Sequence, residues 1–228
     1  MQIAPLPYLS TGTPALDRLI GGTPKGYEPC LGLPRSRSSV IYGAEYTAKT
    51  TLALKAAAET LRQGGSVAYV DFDLGFSSEY ASQLGVAIES ERFTLYQPTT
   101  LETGIKCIYG VVLADVDLVV LDAPQSAPPK GEWSKNLEGM LRRSHGLWAG
   151  FLPQLKVALT RGKTASLTLC VTDHRVPQPA SYWRYYASVM VEVSKVKPPP
   201  QGEGVQVLAL LRKCAVSANQ GHSIQLSV

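Results

Sequence analysis

Lys49 and Thr50 lie in a stretch that could bind phosphate, SSVIYGAEYTAKTTLALKAA at positions 38–57. Phosphate-binding loops have the pattern G-x-x-x-x-G-K-[ST]. Their backbone N–H groups surround the phosphates, the lysine neutralises phosphate charge and the hydroxyl binds Mg²⁺. Gly43 and the Lys49-Thr50 pair match this pattern, whereas Ala48 replaces its second glycine. The stretch therefore indicates either a nucleotide site or an ordinary turn before a helix with a surface lysine.

The residues around this stretch predict the strand–loop–helix arrangement that such a loop needs. SSVIYG (38–43) is a short β-branched run that ends in glycine, and residues 49–65 have helical spacing and end at a pair of glycines. The loop amides and the helix N-terminus would then face the phosphates. The predicted nucleotide-binding residues of this loop are Gly43, Ala44, Glu45, Tyr46, Thr47, Ala48, Lys49, Thr50 and Thr51.

Carboxylates end two other predicted strands. Asp122 follows the apolar run in VDLVVLDAP (116–124), and Asp71 and Asp73 end SVAYVDFD (66–73), where alternation puts both on the same side. Asp122 would reach the Mg²⁺ shell, and one of the other two could orient an attacking water. Each also fits a capping or solvated aspartate. Their joint occurrence favours a site, because ligands bind beyond the carboxyl ends of parallel strands.

The order of the predicted elements sets the fold class. Strand-like apolar runs alternate with helix-like segments, and the last strand-like runs follow one another without helices. We therefore predict an α/β fold with a mostly parallel central sheet flanked by helices and antiparallel strands at the C-terminal edge. The 228 residues, 45% of them hydrophobic, fit one domain over 1–228 with a short N-terminal arm, 1–9, and no C-terminal accessory domain.

Bulk composition excludes little. A net charge of +4 permits an acidic partner but is common in ordinary enzymes. Four cysteines without a CxxC pair favour reduced thiols over a metal or disulfide site. The sequence has neither a basic region followed by an apolar run at its start nor an apolar run of membrane-spanning length. We therefore expect a cytoplasmic protein without a membrane partner.

Taken in order, these motifs resemble the core ATPase domain of the RecA recombinase family, a P-loop NTPase fold, in a minimal, phage-type form. The resemblance covers roughly residues 9 to 228. The segments that carry it are STGTPALDRLIGG, GLPRSRSSVIYG, AYVDFDLGFSSEYASQLGV, VDLVVLDAPQSAPPK and YYASVMVEVSKV. Each segment alone is weakly specific, whereas the ordered set is specific.

The resemblance implies a role for each matching residue. Lys49 would contact the phosphates, and Thr50 and Asp122, the Walker B aspartate, would hold Mg²⁺. Asp73 lies where the family usually has its catalytic glutamate, and Tyr80 lies where a tyrosine stacks on adenine. Asp73 is one methylene shorter than glutamate, so water would be held differently. Ala48 is compatible with the loop if its backbone angles suit a residue with a Cβ.

Three further residues would sense or share the nucleotide. Asp173, in VTDHR, lies where the family has a polar sensor, often glutamine. Arg212 and Lys213 lie near the basic pair that reaches the ATP of a neighbouring subunit in the family.

DNA contacts are predicted for the short second loop, RVPQPASYWR, at 175–184. Arg175 and Arg184 could contact phosphates, and Tyr182 and Trp183 could stack on bases of single-stranded DNA. The alternative is that these aromatic side chains pack at the start of a strand.

Two functions of different classes follow from the resemblance. The first is a recombinase or repair ATPase that binds ATP, Mg²⁺ and single-stranded DNA and assembles into a filament or ring with ATP between subunits. The second is an accessory protein of the same fold, resembling ImuA or RadB, that binds a repair polymerase or recombinase and hydrolyses little. The altered Ala48, Asp73 and Asp173 favour the second, and the retained Lys49, Thr50 and Asp122 favour the first. A hexameric helicase-like motor shares the fold, but no helicase-specific segment is apparent.

Overall fold

A computed structural model describes residues 8–21, 31–131, 137–172, 181–196 and 205–228. The strands are β1 Tyr8–Leu9, β2 Leu33–Pro34, β3 Ser38–Gly43, β4 Val67–Asp71, β5 Phe93–Tyr96, β6 Leu118–Asp122, β7 Ala165–Val171, β8 Val189–Lys195, β9 Gln206–Cys214 and β10 Ser223–Ser227. The helices are α1 Pro14–Gly21, α2 Lys49–Arg62, α3 Ser78–Gln83, α4 Leu101–Leu113, α5 Leu137–Arg161 and α6 Ser181–Tyr186.

Eight strands form one central sheet in the order β10-β9-β8-β3-β7-β6-β4-β5, and β1 and β2 form a separate antiparallel pair. The six strands from β8 to β5 in this order are parallel to one another, whereas β9 is antiparallel to both of its neighbours, β8 and β10. The prediction of a mostly parallel sheet with an antiparallel C-terminal edge is confirmed. Parallel neighbours require crossover connections, and the helices supply them.

Both faces of the sheet are covered at its centre, which explains why β3, β4, β6 and β7 are buried along almost their whole length. On one face, side chains of α1 and α2 pack against alternate strand residues such as Tyr69 and Val120. On the other face, α4, α5 and α6 pack against the intervening residues, among them Val70 and Leu121. The described residues contain no helix of the length and hydropathy that a membrane span requires.

Strand β4 ends two residues earlier than the sequence suggests. Its last residue, Asp71, pairs with Asp122 at the end of β6. The next amide, of Phe72, still donates to the Asp122 carbonyl oxygen at 2.6 Å, but Leu74 then has a φ of 56° and the chain turns away. Alternation therefore does not relate Asp71 to Asp73. Asp71 is buried and Asp73 is exposed.

Helix α4 approaches the sheet closely because it carries Gly104. A Cβ atom at this position would lie 2.1 Å from the Phe72 ring, whereas Gly110 in the same helix has no neighbour within 4 Å. The Phe72 ring also makes an edge contact with Trp148, with centroids 6.0 Å apart. Gly104 therefore allows α4 to pack directly over the residue that follows β4.

Gly104→Ala should destabilise the fold although alanine favours helix. We expect it to lower the free energy of unfolding by about 1–3 kcal/mol, the usual cost of overpacking a core. Gly110→Ala is the matched control and should raise the free energy of unfolding by about 1 kcal/mol through helix propensity. Urea unfolding of both variants measures this difference, and stabilisation by both would contradict the close packing.

Candidate nucleotide site

The parallel strands bring the predicted site residues to one edge of the sheet. Gly43 ends β3, Asp71 ends β4 and Asp122 ends β6, and helix α2 begins at Lys49. Thr50, in the first turn of α2, donates a hydrogen bond to Asp122 Oδ2 at 3.0 Å although the two residues are 72 positions apart. Two segments that the sequence suggested separately thus form one site.

The loop between β3 and α2 is held close to the sheet. A Cβ at Gly43 would lie 2.1 Å from the carbonyl oxygen of Val193, so glycine is required here by the approach of β8. Within the loop, Thr47 Oγ1 donates to the Ala44 carbonyl at 2.8 Å. Beside it is an open cleft of about 340 Å³, lined by Tyr46, Thr47, Ala48, Lys49, Thr50, Thr51 and Val205.

Ala48 adopts the backbone conformation that glycine favours. It has φ 60° and ψ 23°, in the left-handed region, and precedes α2 without a side-chain cap. Tyr46 also has a positive φ, 58°. Left-handed geometry costs a residue with a Cβ about 1–2 kcal/mol. These backbone angles do not suit a residue with a Cβ, so Ala48 is strained at this position.

Lys49 is a buried cation without a carboxylate partner among the described residues. It is 7% exposed, and its Nζ donates to the Ala44 carbonyl at 2.6 Å and to Thr47 Oγ1 at 3.4 Å. Burial lowers its pKa from the usual value, and the charges of Asp122 and Glu45 oppose this shift. An ammonium beside a helix N-terminus, with only neutral partners, fits an anionic ligand such as phosphate.

Asp122 is a candidate Mg²⁺ ligand whose orientation is fixed by Tyr69. The buried hydroxyl of Tyr69 donates to Asp122 Oδ2 at 2.6 Å, the same oxygen that Thr50 contacts. Burial raises the pKa of Asp122, and these two hydrogen bonds oppose the shift. Mg²⁺ prefers oxygen ligands and retains several waters, so one hydroxyl and one carboxylate beside phosphate oxygens fit it. Sequence reasoning missed Tyr69, because its apolar neighbours make it look like an ordinary core residue.

Tyr80 lies at the rim of the cleft on α3. Its hydroxyl is 2.8 Å from Thr51 Oγ1, and the side chain is 39% exposed. Ser77 caps α3 by accepting a hydrogen bond from the Tyr80 amide at 3.2 Å. A partly exposed ring beside the first turn of α2 is in reach of a ligand in the cleft.

The two predicted cations of β9 make contacts within their own chain. Arg212 Nε donates to Glu192 Oε2 at 2.5 Å. Lys213 Nζ donates to the carbonyl oxygens of Arg184 and Tyr185 at 2.8 and 3.3 Å. Lys213 therefore stabilises the C-terminal end of α6, where cations are favoured by the helix dipole.

Helix α6 buries Trp183 and half-buries Tyr182, the two aromatic residues predicted to stack on DNA bases. Trp183 is 3% exposed and packs against Trp148, with ring centroids 5.0 Å apart. Tyr182 is half-buried against His145. Tyr185, in contrast, is 75% exposed. The packing alternative thus describes Trp183, although the aromatic residues belong to a helix rather than to the start of a strand.

Of the other predicted residues, Arg184 is exposed on α6. The sensor residue Asp173 and the DNA-binding residue Arg175 lie outside the described residues. Their predicted roles remain predictions.

Ala48→Gly should stabilise the protein, because glycine has no Cβ to strain at positive φ. We expect the free energy of unfolding to rise by about 1 kcal/mol. Ala149→Gly, at an exposed position inside α5, is the opposite control and should lower it by about 1 kcal/mol. Urea unfolding gives both values. A decrease of equal size for both variants would show that Ala48 is not strained.

Comparisons with known proteins agree with the fold and the motif order. The family model of the RecA N-terminal domain matches residues 4–171. RecA of Desulforapulum autotrophicum is 32% identical over 219 residues, which cover 90% of this chain and 59% of that protein. RecA of Clostridium beijerinckii is likewise 32% identical over 219 residues and is covered to 57%. The chain thus spans a little over half the length of these relatives.

A solved structure shows the same fold. The crystal structure of the RadB recombinase superposes with a TM-score of 0.69 at 22% identity, and the match covers 96% of each chain. This likeness concerns the fold alone. Because the RecA N-terminal domain model covers residues 4–171 of 228, the chain belongs to the RecA family and is a RecA-like core domain.

Proposed function

We propose that this chain is an ATP- and Mg²⁺-binding RecA-like ATPase of DNA recombination or repair. The observation that carries the proposal is the buried Lys49 ammonium, which has no carboxylate partner among the described residues and lies beside the Thr50–Asp122 pair. A buried unpaired charge is costly, so it is expected where a ligand of opposite charge completes it. Phosphate in the adjacent cleft would do so.

Each residue then has a chemical task. Lys49 and the loop amides neutralise and orient the phosphates. Thr50 and Asp122 hold Mg²⁺, which supplies further charge neutralisation at the phosphate oxygens. The exposed carboxylate of Asp73 accepts a proton from, and orients, the attacking water. Tyr80 presents its ring to the adenine.

Assembly would complete the site. In the proposed filament or ring, Arg212 and Lys213 of one chain would exchange their contacts within that chain for contacts with the nucleotide of the next. Binding and hydrolysis would then depend on contacts between copies. Single-stranded DNA would be contacted from the region of α6 and the preceding loop, which includes Arg175, Arg184 and the exposed Tyr185. A cytoplasmic location and a single domain over 1–228 belong to this proposal.

The accessory function has its own support. Ala48 carries a left-handed conformation that glycine would adopt without strain, and the carboxylate of Asp73 is one methylene closer to the backbone than a glutamate carboxylate would be. Both features fit a protein that binds ATP, hydrolyses little and acts by binding a polymerase or recombinase. Turnover measured beside binding separates the two functions.

Lys49→Ala should abolish ATP binding and leave the fold intact, because the variant removes the one buried ammonium of the loop. Lys106→Ala, which removes the same charge from an exposed position on α4, is the control and should bind ATP like the unmodified protein. Calorimetric titration with a non-hydrolysable ATP analogue measures both. Unchanged affinity in a well-folded Lys49→Ala variant would show that ATP binds elsewhere or not at all.

Substitutions in α6 should separate DNA contact from core packing. Tyr185→Ala should lose about 1–3 kcal/mol of single-stranded DNA binding, the usual worth of a stacked base, without loss of stability. Trp183→Ala should instead lower the free energy of unfolding by about 3–5 kcal/mol, because it empties a packed core position. Arg184→Ala should reduce the magnitude of the salt slope by about one.

Fluorescence titration with labelled single-stranded DNA, at several salt concentrations and with an ATP analogue, measures these affinities. Melting curves supply the stability control. If the well-folded protein binds no single-stranded DNA at low salt, the recombinase function is wrong and the accessory function leads.

A further inference from the structure

The segment between β4 and α3 carries the candidate catalytic residue Asp73 and is fixed at both ends by aromatic rings. Phe72 is buried among the α4 and α5 side chains on one face of the sheet. Phe76 packs on the opposite face, with its ring centroid 5.2 Å from that of Tyr69 and 5.9 Å from that of Phe93. Asp73 and Leu74 lie exposed between these anchors.

The Asp71 carboxylate accepts hydrogen bonds from two backbone amides of this segment. Asp71 is 2% exposed, and no cation contacts its carboxylate among the described residues. Its Oδ1 accepts from the Asp73 amide at 3.2 Å, and its Oδ2 accepts from the Phe76 amide at 2.9 Å. The side-chain amide of Gln97, just beyond β5, donates to the same Oδ2 at 2.9 Å. A buried carboxylate is thus satisfied entirely by neutral donors, two of them in the segment itself.

Asp71 and Asp73 therefore differ in what they can do. Both oxygens of Asp71 are engaged and out of contact with solvent, so this residue is unsuited to orient a water. The carboxylate of Asp73 is exposed and has no hydrogen-bond partner within the described ranges. An aspartate side chain has only two rotatable bonds, so the position of its carboxylate is set largely by the backbone. Asp71 restrains that backbone by accepting the hydrogen bond of the Asp73 amide.

We infer that Asp71, oriented by Gln97, is a positioning residue that sets where the Asp73 carboxylate meets the attacking water. The inference rests on the proposed ATPase function. Asp71 receives the Asp73 amide directly and joins it to Phe76, while Gln97 ties the same carboxylate to the neighbouring strand. Misplacement of a reacting group by about 1 Å can cost on the order of 10²-fold in rate.

The principal variant is Asp71→Asn. It keeps the size of the side chain but turns one acceptor oxygen into a donor that faces N–H groups. We expect kcat for ATP hydrolysis to fall between about 10-fold and 10²-fold, with KM for ATP nearly unchanged, because the phosphate loop is not touched. Gln97→Ala, at an exposed position, should give a smaller fall in kcat and serves if Asp71→Asn does not fold.

Asp117→Asn is the matched control at the opposite end of the sheet. The carboxylate of Asp117 accepts from the Ser66 amide at 3.0 Å and from Arg35 at 2.8 Å, so its loss also removes hydrogen bonds from a loop. This variant should lose stability and keep the kcat of the unmodified protein. It separates general destabilisation from an effect at Asp73.

Asp71→Asn and Gln97→Ala are then each combined with Asp73→Asn, and the rate of ATP hydrolysis is measured under single-turnover conditions with excess protein. If Asp71 and Gln97 act through Asp73, they should cause no further loss of rate there. The inference is overturned if folded Asp71→Asn or Gln97→Ala variants keep full kcat. It is equally overturned if they lose the same factor in both backgrounds.

Different results would contradict the proposed ATPase function and the positioning role of Asp71. A protein that does not hydrolyse ATP, or whose turnover is insensitive to Asp73→Asn, contradicts the role of Asp73 itself and removes the basis of the inference. Turnover that depends on Asp73 but not on Asp71 or Gln97 contradicts the inference alone.

Discussion

The parallel pairing of β3, β4, β6 and β7 is the constraint on which the candidate site depends. It brings the end of β4 beside the end of β6, in the register Asp71 to Asp122, and places the loop after β3 at the same edge. The Thr50–Asp122 hydrogen bond then joins the first turn of α2 to β6. A shift of register by one residue would turn Asp122 to the other face of the sheet and separate these groups.

Two ionisable groups, Lys49 and Asp122, lie near each other at the carboxyl ends of these strands. Burial lowers the pKa of Lys49 and raises that of Asp122, so burial opposes the charged form of each group. Phosphate would stabilise the ammonium, and a metal ion would stabilise the carboxylate. The protein therefore holds two charges that a single ligand, ATP with Mg²⁺, would complete together. Tyr69 limits the orientations of the Asp122 carboxylate, and Asp71 fixes the neighbouring segment in the same way.

The sequence predicted the parts of the candidate site that depend on a short continuous stretch, such as the loop between β3 and α2. β3 ends at Gly43 and α2 begins at Lys49, as the strand–loop–helix pattern indicated. The difference in burial between Asp71 and Asp73 was not predictable, because alternation within a strand does not tell where the strand ends. Tyr69 could not be found either, since its partner is 53 positions away. The burial of Trp183 depends on Trp148 of another helix, a contact that no nearby residue indicates.

Turnover of ATP by the unmodified protein is the most direct test of an ATPase site at the carboxyl ends of these strands. Phosphate release would be measured with Mg²⁺, with and without single-stranded DNA, and with EDTA as the metal-free reference. We expect release that requires Mg²⁺ and increases when single-stranded DNA is added. A folded protein that releases no phosphate above the EDTA reference under either condition would contradict an ATPase site at this edge of the sheet.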